Sequence, residues 1–224
     1  MPPSRKPPPS QNLPRLTLPR LYAIVDADVC ARENRAPVDV ARAFLSAGAT
    51  LIQLRCKSWG SAAFLDLANA IVEDATRAGA MVIVNDRADV AALSQVRGLH
   101  VGQDDLTPAD ARKVIGDERW LGLSTHTPAQ WQSAVNEPVS YIAIGPVFDT
   151  GTKATGYAAV GLTTVTRAAD AARAAGLPVV AIGGITRDNA ASVIDAGAAS
   201  VAIISDLLRG DPETSCRALL RILE

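Results

Sequence analysis

A chain of 224 residues with 48% apolar content is long enough to bury one substantial core. Its net charge of −1 excludes the electrostatic footprint of a nucleic-acid binder, and no basic stripe is interleaved with aromatics. No apolar run approaches the ~20 residues of a membrane span. The three cysteines (Cys30, Cys56, Cys216) lack disulfide or metal spacing, which points to a reducing, cytoplasmic setting.

The first twenty residues, MPPSRKPPPSQNLPRLTLPR, hold seven of the fourteen prolines and four basic residues with no acid. They lack the apolar segment of a secretory signal and read as a disordered, Pro-rich N-terminal tail at 1–20, ahead of a single domain at 21–224. From Leu21 onward, short β-branched runs alternate with longer alanine-rich amphipathic runs. Strands are expected at LYAIVD (21–26), TLIQLR (50–55), AMVIVN (80–85), GLHVG (98–102), WLGLS (120–124), YIAIG (141–145), PVVAIG (178–183) and SVAIIS (200–205). Helices fall near 37–47, 61–78, 87–95, 108–115, 128–135, 163–175, 187–196 and 212–223. Thr107 before Pro108, Thr127 before Pro128 and Thr186 before an acidic turn are the expected N-caps. Eight β–α repeats predict an α/β fold, a parallel sheet closed as a single (β/α)8 TIM barrel rather than an open doubly wound sheet.

Such a barrel carries its chemistry on the loops at the carboxyl ends of its strands. The notable polar residues gather there: Asp26, Gln53 to Lys57, Asn85-Asp86-Arg87, Gln103-Asp104-Asp105, Ser124 to His126, Thr150 to Lys153, Gly183-Gly184 and Ser205. In QLRCK, Gln53 and Arg55 share a strand face and Lys57 follows in the loop. Inward charges at a strand end need an anion or a carboxylate partner. Asp86 and Asp105 each read, taken singly, as a helix cap or an ion-pair partner. Taken together, two aspartates on neighbouring loops can hold one Mg2+, which favours few carboxylates plus phosphate oxygens.

The segment GPVFDTGTKATG (145–156) puts Thr150, Thr152 and Lys153 on an irregular loop suited to an anionic, phosphorylated ligand. Lysine is scarce, four against eighteen arginines, and one of the four stands on this loop. Gly183-Gly184 lets backbone approach a ligand closely, and with the Ile204-Ser205 turn it forms a second anion site at strands 7 and 8. His126 reads as structural more readily than catalytic, His100 as a satisfied core residue, Cys56 as incidental, and Trp59, Trp120 and Trp131 as packing.

These segments together resemble the thiamine-phosphate synthase family from Leu21 to the C-terminus: LYAIVD, QLRCK, VNDRADVA, GLHVGQDDL, GLSTH, GPVFDTGTK, AIGGI and VAIIS. The resemblance implies a transferase that joins a pyrimidine methyl diphosphate to a thiazole phosphate and releases pyrophosphate. It implies that Gln53, Leu54, Arg55, Cys56, Lys57 and Asn85 bind the pyrimidine diphosphate and that Ser124 contacts the pyrimidine. Asp86 and Asp105 would hold Mg2+. Thr150, Gly151 and Thr152 would meet the thiazole phosphate, Lys153 the diphosphate, and Gly184, Ile204 and Ser205 would complete the phosphate site. Arg55, Lys57, Lys153 and Ser124 carry the catalysis in that reading, and Mg2+ assists a dissociative substitution. One departure is Cys56, which stands where the family usually has an acid. The partners implied are small molecules, with no nucleic acid or membrane, and homo-oligomerisation is left open. A thiazole tautomerase of the same family, using His126, and a non-catalytic phosphate-binding barrel are the alternatives.

Overall fold

A strand in a parallel barrel is covered on both faces, by helices outside and by its neighbours' inward side chains within, so it must be apolar along its whole length. The computed structural model describes residues 16–151 and 156–224. Its elements run β1 (Leu21–Asp26), α1 (Ala27–Arg32), α2 (Pro37–Ala47), β2 (Leu51–Arg55), α3 (Ser61–Arg77), β3 (Met81–Asn85), α4 (Ala88–Leu93), β4 (Gly98–Val101) and α5 (Pro108–Ile115). They continue with β5 (Trp120–Thr125), α6 (Pro128–Ala134), β6 (Tyr141–Ile144), α7 (Gly161–Ala174), β7 (Val179–Ile182), α8 (Ala190–Asp195), β8 (Ser200–Ile203), a 3₁₀ turn at Ser205–Leu208 and α9 (Pro212–Leu223). The eight strands pair in sequence order, all parallel, and β8 returns to β1 to close the barrel.

The two-residue period of each strand sorts its side chains. Leu21, Ala23, Val25, Ile52 and Leu54 point outward and merge with Phe44 of α2 and Phe64 and Ile71 of α3 in one continuous core. Tyr22, Ile24, Leu51, Ile83, Tyr141 and Ala202 point inward and fill the lumen. The packed lumen leaves chemistry only at its mouth, which is why the loops after the strands matter.

Two expectations need correction. The segment at 16–20 is part of the barrel: Leu18 is buried in the lumen cluster with Leu16 against it, and the Arg20 carbonyl accepts from the Val201 amide at 2.8 Å. The remainder of the expected tail, residues 1–15, lies outside the described residues. Thr186 does not cap α8, which begins only at Ala190. Instead the Asn189 side chain accepts from the Thr186 amide at 2.8 Å and donates to the Gly184 carbonyl at 3.1 Å, folding 184–189 into a turn. Helix α1 was unexpected; Asp26 caps it by accepting from the amides of Asp28 and Val29 at 3.1 and 3.0 Å. Thr107 and Thr127 do cap α5 and α6, the latter in a reciprocal box with Gln130. Among the described residues no helix is long and apolar enough to cross a membrane.

Candidate active site

The ends of β2, β3 and β4 converge on a charged cluster. Asp86 follows β3 in the left-handed region at φ 64°, and its amide donates to the His100 carbonyl at 2.8 Å. Aspartate tolerates this conformation better than bulky residues do, and here it lifts the carboxyl out of the strand's alternation. The Lys57 ammonium pairs with it, and its carboxyl hydrogen-bonds to that of Asp105. Asp105 is itself held by the Gly102 amide at 2.7 Å. Burial, then the proton shared with Asp105, pushes Asp86 above the ordinary carboxylate range, with Lys57 opposing. At Asp105 burial pushes the same way but is outweighed by the Asp86 hydrogen bond, the Gly102 amide, Lys57 and His100, so it lies below that range. Two carboxyls this close cannot both ionise cheaply without added positive charge. The neighbouring Arg87 is engaged elsewhere, with Asp89 at 2.9 Å and Ser61 at 2.6 Å.

Among the described residues no group of three or more His, Cys, Asp or Glu converges as a ready-made metal cage. A pair of carboxylates nevertheless fits Mg2+, which keeps several waters and completes its shell with substrate phosphate oxygens. The close approach of Asp86 and Asp105, with Lys57 beside them, is a donor set of that kind. Next to it, Arg55 pairs with Asp26, which also caps α1. Asn85 is buried at the end of β3, in register with His100.

Across the lumen runs a chain of buried polar groups. Gln53 Nε2 donates to the Tyr22 hydroxyl at 2.9 Å, which bonds the Tyr141 hydroxyl at 3.0 Å. Tyr141 meets His100 Nδ1 at 3.0 Å, and His100 Nε2 meets Ser124 Oγ at 2.9 Å. The row His100, Gly122, Tyr141 is in register across β4, β5 and β6. Burial pushes the ionisation of both phenols up, so they stay neutral hydroxyls at ordinary pH.

On the far side, the ends of β5 to β8 enclose a cavity of about 290 Å³ lined by Ser124, His126, Thr150, Gly151, Gly184 and Ser205, with Ile204 also in its wall. A Cβ on Gly184 would stand 2.6 Å from the Asp149 carbonyl oxygen, so this left-handed glycine makes room for the loop after β6. That loop donates from Phe148 N to the Gly183 carbonyl at 3.0 Å. The glycine pair thus fixes the cavity wall by close backbone packing, in addition to lining it. His126 Nδ1 donates to the Gly145 carbonyl at 2.6 Å, and its ring stacks on Tyr157 with centroids 4.2 Å apart. Buried Asp206 accepts from the Arg187 amide at 3.0 Å and draws the Arg187 and Arg209 guanidinium groups to within 3.7 and 3.5 Å.

The fold therefore brings Gln53, Arg55, Lys57, Asn85, Asp86, Asp105 and Ser124 to one mouth, with Thr150, Gly151, Gly184, Ile204 and Ser205 around the adjoining cavity. Leu54 and Cys56 are different: both are buried in the outer core, so their side chains face the helices and only their backbone is available to a ligand. Thr152 and Lys153 lie outside the described residues. Sequence reasoning passed over Tyr22 and Tyr141, while its reading of His100 as a satisfied core residue agrees with a buried ring bonded at both nitrogens. The signal was their inward parity with Gln53 and Ser124.

The family model described as thiamine monophosphate synthase matches residues 21–207. A thiamine-phosphate synthase of Koribacter versatilis is 44% identical over 93% of this chain and 97% of its own. One from Roseiflexus castenholzii is 43% identical over 89% of this chain and 86% of its own. Among solved structures, thiamine phosphate pyrophosphorylase from Pyrococcus furiosus superposes with a TM-score of 0.82 at 27% identity, covering 92% of this chain and 95% of that one. On fold, site and sequence together, the chain belongs to the thiamine monophosphate synthase family.

Proposed function

We propose that the protein is a thiamine-phosphate synthase, a transferase acting on two small molecules, a pyrimidine methyl diphosphate and a thiazole phosphate. The observation that carries the reading is the Lys57–Asp86–Asp105 cluster beside a cavity large enough for a second phosphorylated substrate. Both substrates then fit one mouth, the diphosphate at the charged ends of β2 to β4 and the thiazole phosphate by Gly184, Ile204 and Ser205.

In the reaction the bond between the pyrimidine methylene and the diphosphate oxygen breaks, and the thiazole nitrogen forms a new bond to that carbon. Mg2+ held by Asp86 and Asp105 would supply positive charge to the departing pyrophosphate. Lys57, already beside Asp86, and Arg55, held by Asp26, orient the diphosphate and neutralise charge as it develops. Ser124 holds the pyrimidine in place, and the packed lumen below excludes water from the reacting carbon. The aminopyrimidine stabilises the cationic carbon itself, so no protein nucleophile is required. His126 serves to tie β5 to Gly145 and to carry Tyr157, which supports the synthase reading over one built on a catalytic histidine. Thr152 and Lys153 extend the proposal as phosphate and diphosphate contacts, and the setting proposed is the cytoplasm.

The test is substrate dependence: thiamine phosphate should form only when both substrates and Mg2+ are supplied to the purified protein. Turnover of the thiazole substrate alone would replace the proposal with the tautomerase reading.

A further inference from the structure

The cavity at the ends of β5 to β8 has a charge balance of its own. Among its described lining residues Asp149 and Asp206 carry carboxylates, and Arg209 alone carries a lysine or arginine charge. Asp149 is exposed to solvent, whereas Asp206 is 4% exposed and directly follows Ser205. A buried carboxylate in the wall of a site for an anion repels that anion unless cations outnumber it. Here they do. The Arg187 amide donates to Asp206 Oδ2 at 3.0 Å, and the Arg187 and Arg209 guanidinium groups stand 3.7 and 3.5 Å from the carboxylate. Two cations around one carboxylate leave one positive charge in surplus.

We infer that Arg209 is a substrate-binding residue, the side chain that meets the phosphate monoester of the ligand held in this cavity, and that Arg187 offsets the Asp206 charge. Arg187 does not line the cavity, so the surplus charge falls on Arg209, which does. Both arginines face Asp206 through Nε at separations longer than a hydrogen bond, and neither guanidinium hydrogen-bonds to any described residue. The planar fork of Arg209 is therefore uncommitted, and phosphate oxygens offer it shorter, charge-assisted bonds than Asp206 does. A merely solvated surface ion pair would need no place in a cavity wall and no second arginine to offset its carboxylate. Naming the ligand as the thiazole phosphate rests on the proposed function; the charge balance of the cavity does not.

Asp206 has two opposed effects on such a ligand. It keeps Arg209 at the cavity wall, and it sets its own negative charge beside the phosphate. With Arg209 in place the first effect prevails; without Arg209 the repulsion is left. The loss caused by removing Arg209 should therefore be relieved in part by Asp206→Asn, which can still accept from the Arg187 amide but carries no charge. A structural role for the ion pair predicts the reverse, a double variant worse than the single one.

The experiment is calorimetric titration of the full chain with the thiazole phosphate and, separately, with the unphosphorylated thiazole alcohol. Arg209→Gln should weaken binding of the phosphate about tenfold and leave binding of the alcohol within about twofold. Arg209→Lys keeps the charge but not the fork and should fall between, at about threefold. It stands in should the glutamine variant not fold, and wild-type affinity there would then overturn the inference. Adding Asp206→Asn to Arg209→Gln should recover part of the lost affinity. Equal losses for phosphate and alcohol, or undiminished phosphate binding in Arg209→Gln, would overturn the inference. Kinetics give a second arm: KM for the thiazole phosphate should rise about tenfold in Arg209→Gln, with KM for the pyrimidine diphosphate within about twofold. A wild type that binds the thiazole phosphate through Arg209 yet makes no thiamine phosphate would sink the proposed function and leave this contact standing. Turnover with a KM indifferent to Arg209 would do the opposite.

Discussion

His100 and Tyr141 stack with ring centroids 5.6 Å apart and planes at 24°, and the residue between them in register is the bare backbone of Gly122. Because an added Cβ would come within 2.2 Å of Tyr141 Cζ, Gly122→Ala must displace one ring or bend a strand. Overpacking of this kind costs about 2–3 kcal/mol. The variant should show a lower urea midpoint at an unchanged m-value, whereas a wild-type midpoint would mean that the rings are not held over residue 122.

Asp26 links stability to the site. Its buried carboxyl both caps α1 and pairs with Arg55. Removing one partner of a buried ion pair leaves the other charge uncompensated, so Asp26→Ala should lose about 3 kcal/mol or more. Asn retains the cap but not the charge, and Asp26→Asn should recover part of the loss. Released from its partner, Arg55 should also hold the diphosphate less well, so KM for that substrate should rise in whichever variant remains folded. Equal stability of Asp26→Ala and wild type in denaturant titration would contradict the pairing.

At the carboxylate pair proposed to hold Mg2+, Asp105→Ala should reduce kcat by at least about 100-fold, the scale of losing one electrostatic contact to a developing charge. It should also raise the Mg2+ concentration needed for half-maximal rate. Turnover and Mg2+ dependence both matching the wild type would remove Asp105 from the mechanism.

The three cysteines carry a pH signature. Burial pushes the Cys56 thiol up to about 12, with the charges of Asp26 and Asp28 adding to it. Burial likewise raises Cys216 to about 12 and Cys30 to about 11. Since the thiolate is the reactive form, none should react quickly with an aromatic disulfide reagent at pH 8, and all three should react once the chain is unfolded. These folded values lie above the ordinary thiol value of 9.0. Above that value the unfolded chain ionises while the native thiols do not, so stability is intact below it and falls as pH rises toward the folded values. A fast native thiol at pH 8 would contradict the burial of these groups.

The barrel was legible because each strand is an apolar run with clear breakers, and because eight such runs admit few closed arrangements. The short helix α1 and the 3₁₀ turn at Ser205–Leu208 were not legible. Helix α1 follows β1 with no breaker between them and depends on Asp26 acting as a cap, and the turn has only four residues. The floor residues Leu16 and Leu18 were hidden by the prolines around them. At the mouth, Asp86 and Asp105 were visible as acids on neighbouring loops, but the left-handed turn that turns Asp86 toward Lys57 is a backbone property no spacing reveals. The lumen chain was missed for another reason. Tyr22, Tyr141 and His100 each look like ordinary strand residues, and only closure of the barrel brings strands 1, 4 and 6 into one hydrogen-bonded line. Leu54 and Cys56, expected among the diphosphate-binding residues, turn their side chains into the outer core instead.

The central claim is that two aspartates and their cationic neighbours drive departure of pyrophosphate with Mg2+. Its most direct test is pyrophosphate release from the two purified substrates, measured in Mg2+ and again after EDTA. The account predicts pyrophosphate and thiamine phosphate in equal amounts with Mg2+, loss of both with EDTA, and recovery when Mg2+ is restored. Undiminished release in EDTA, or none under either condition from folded protein, would contradict it.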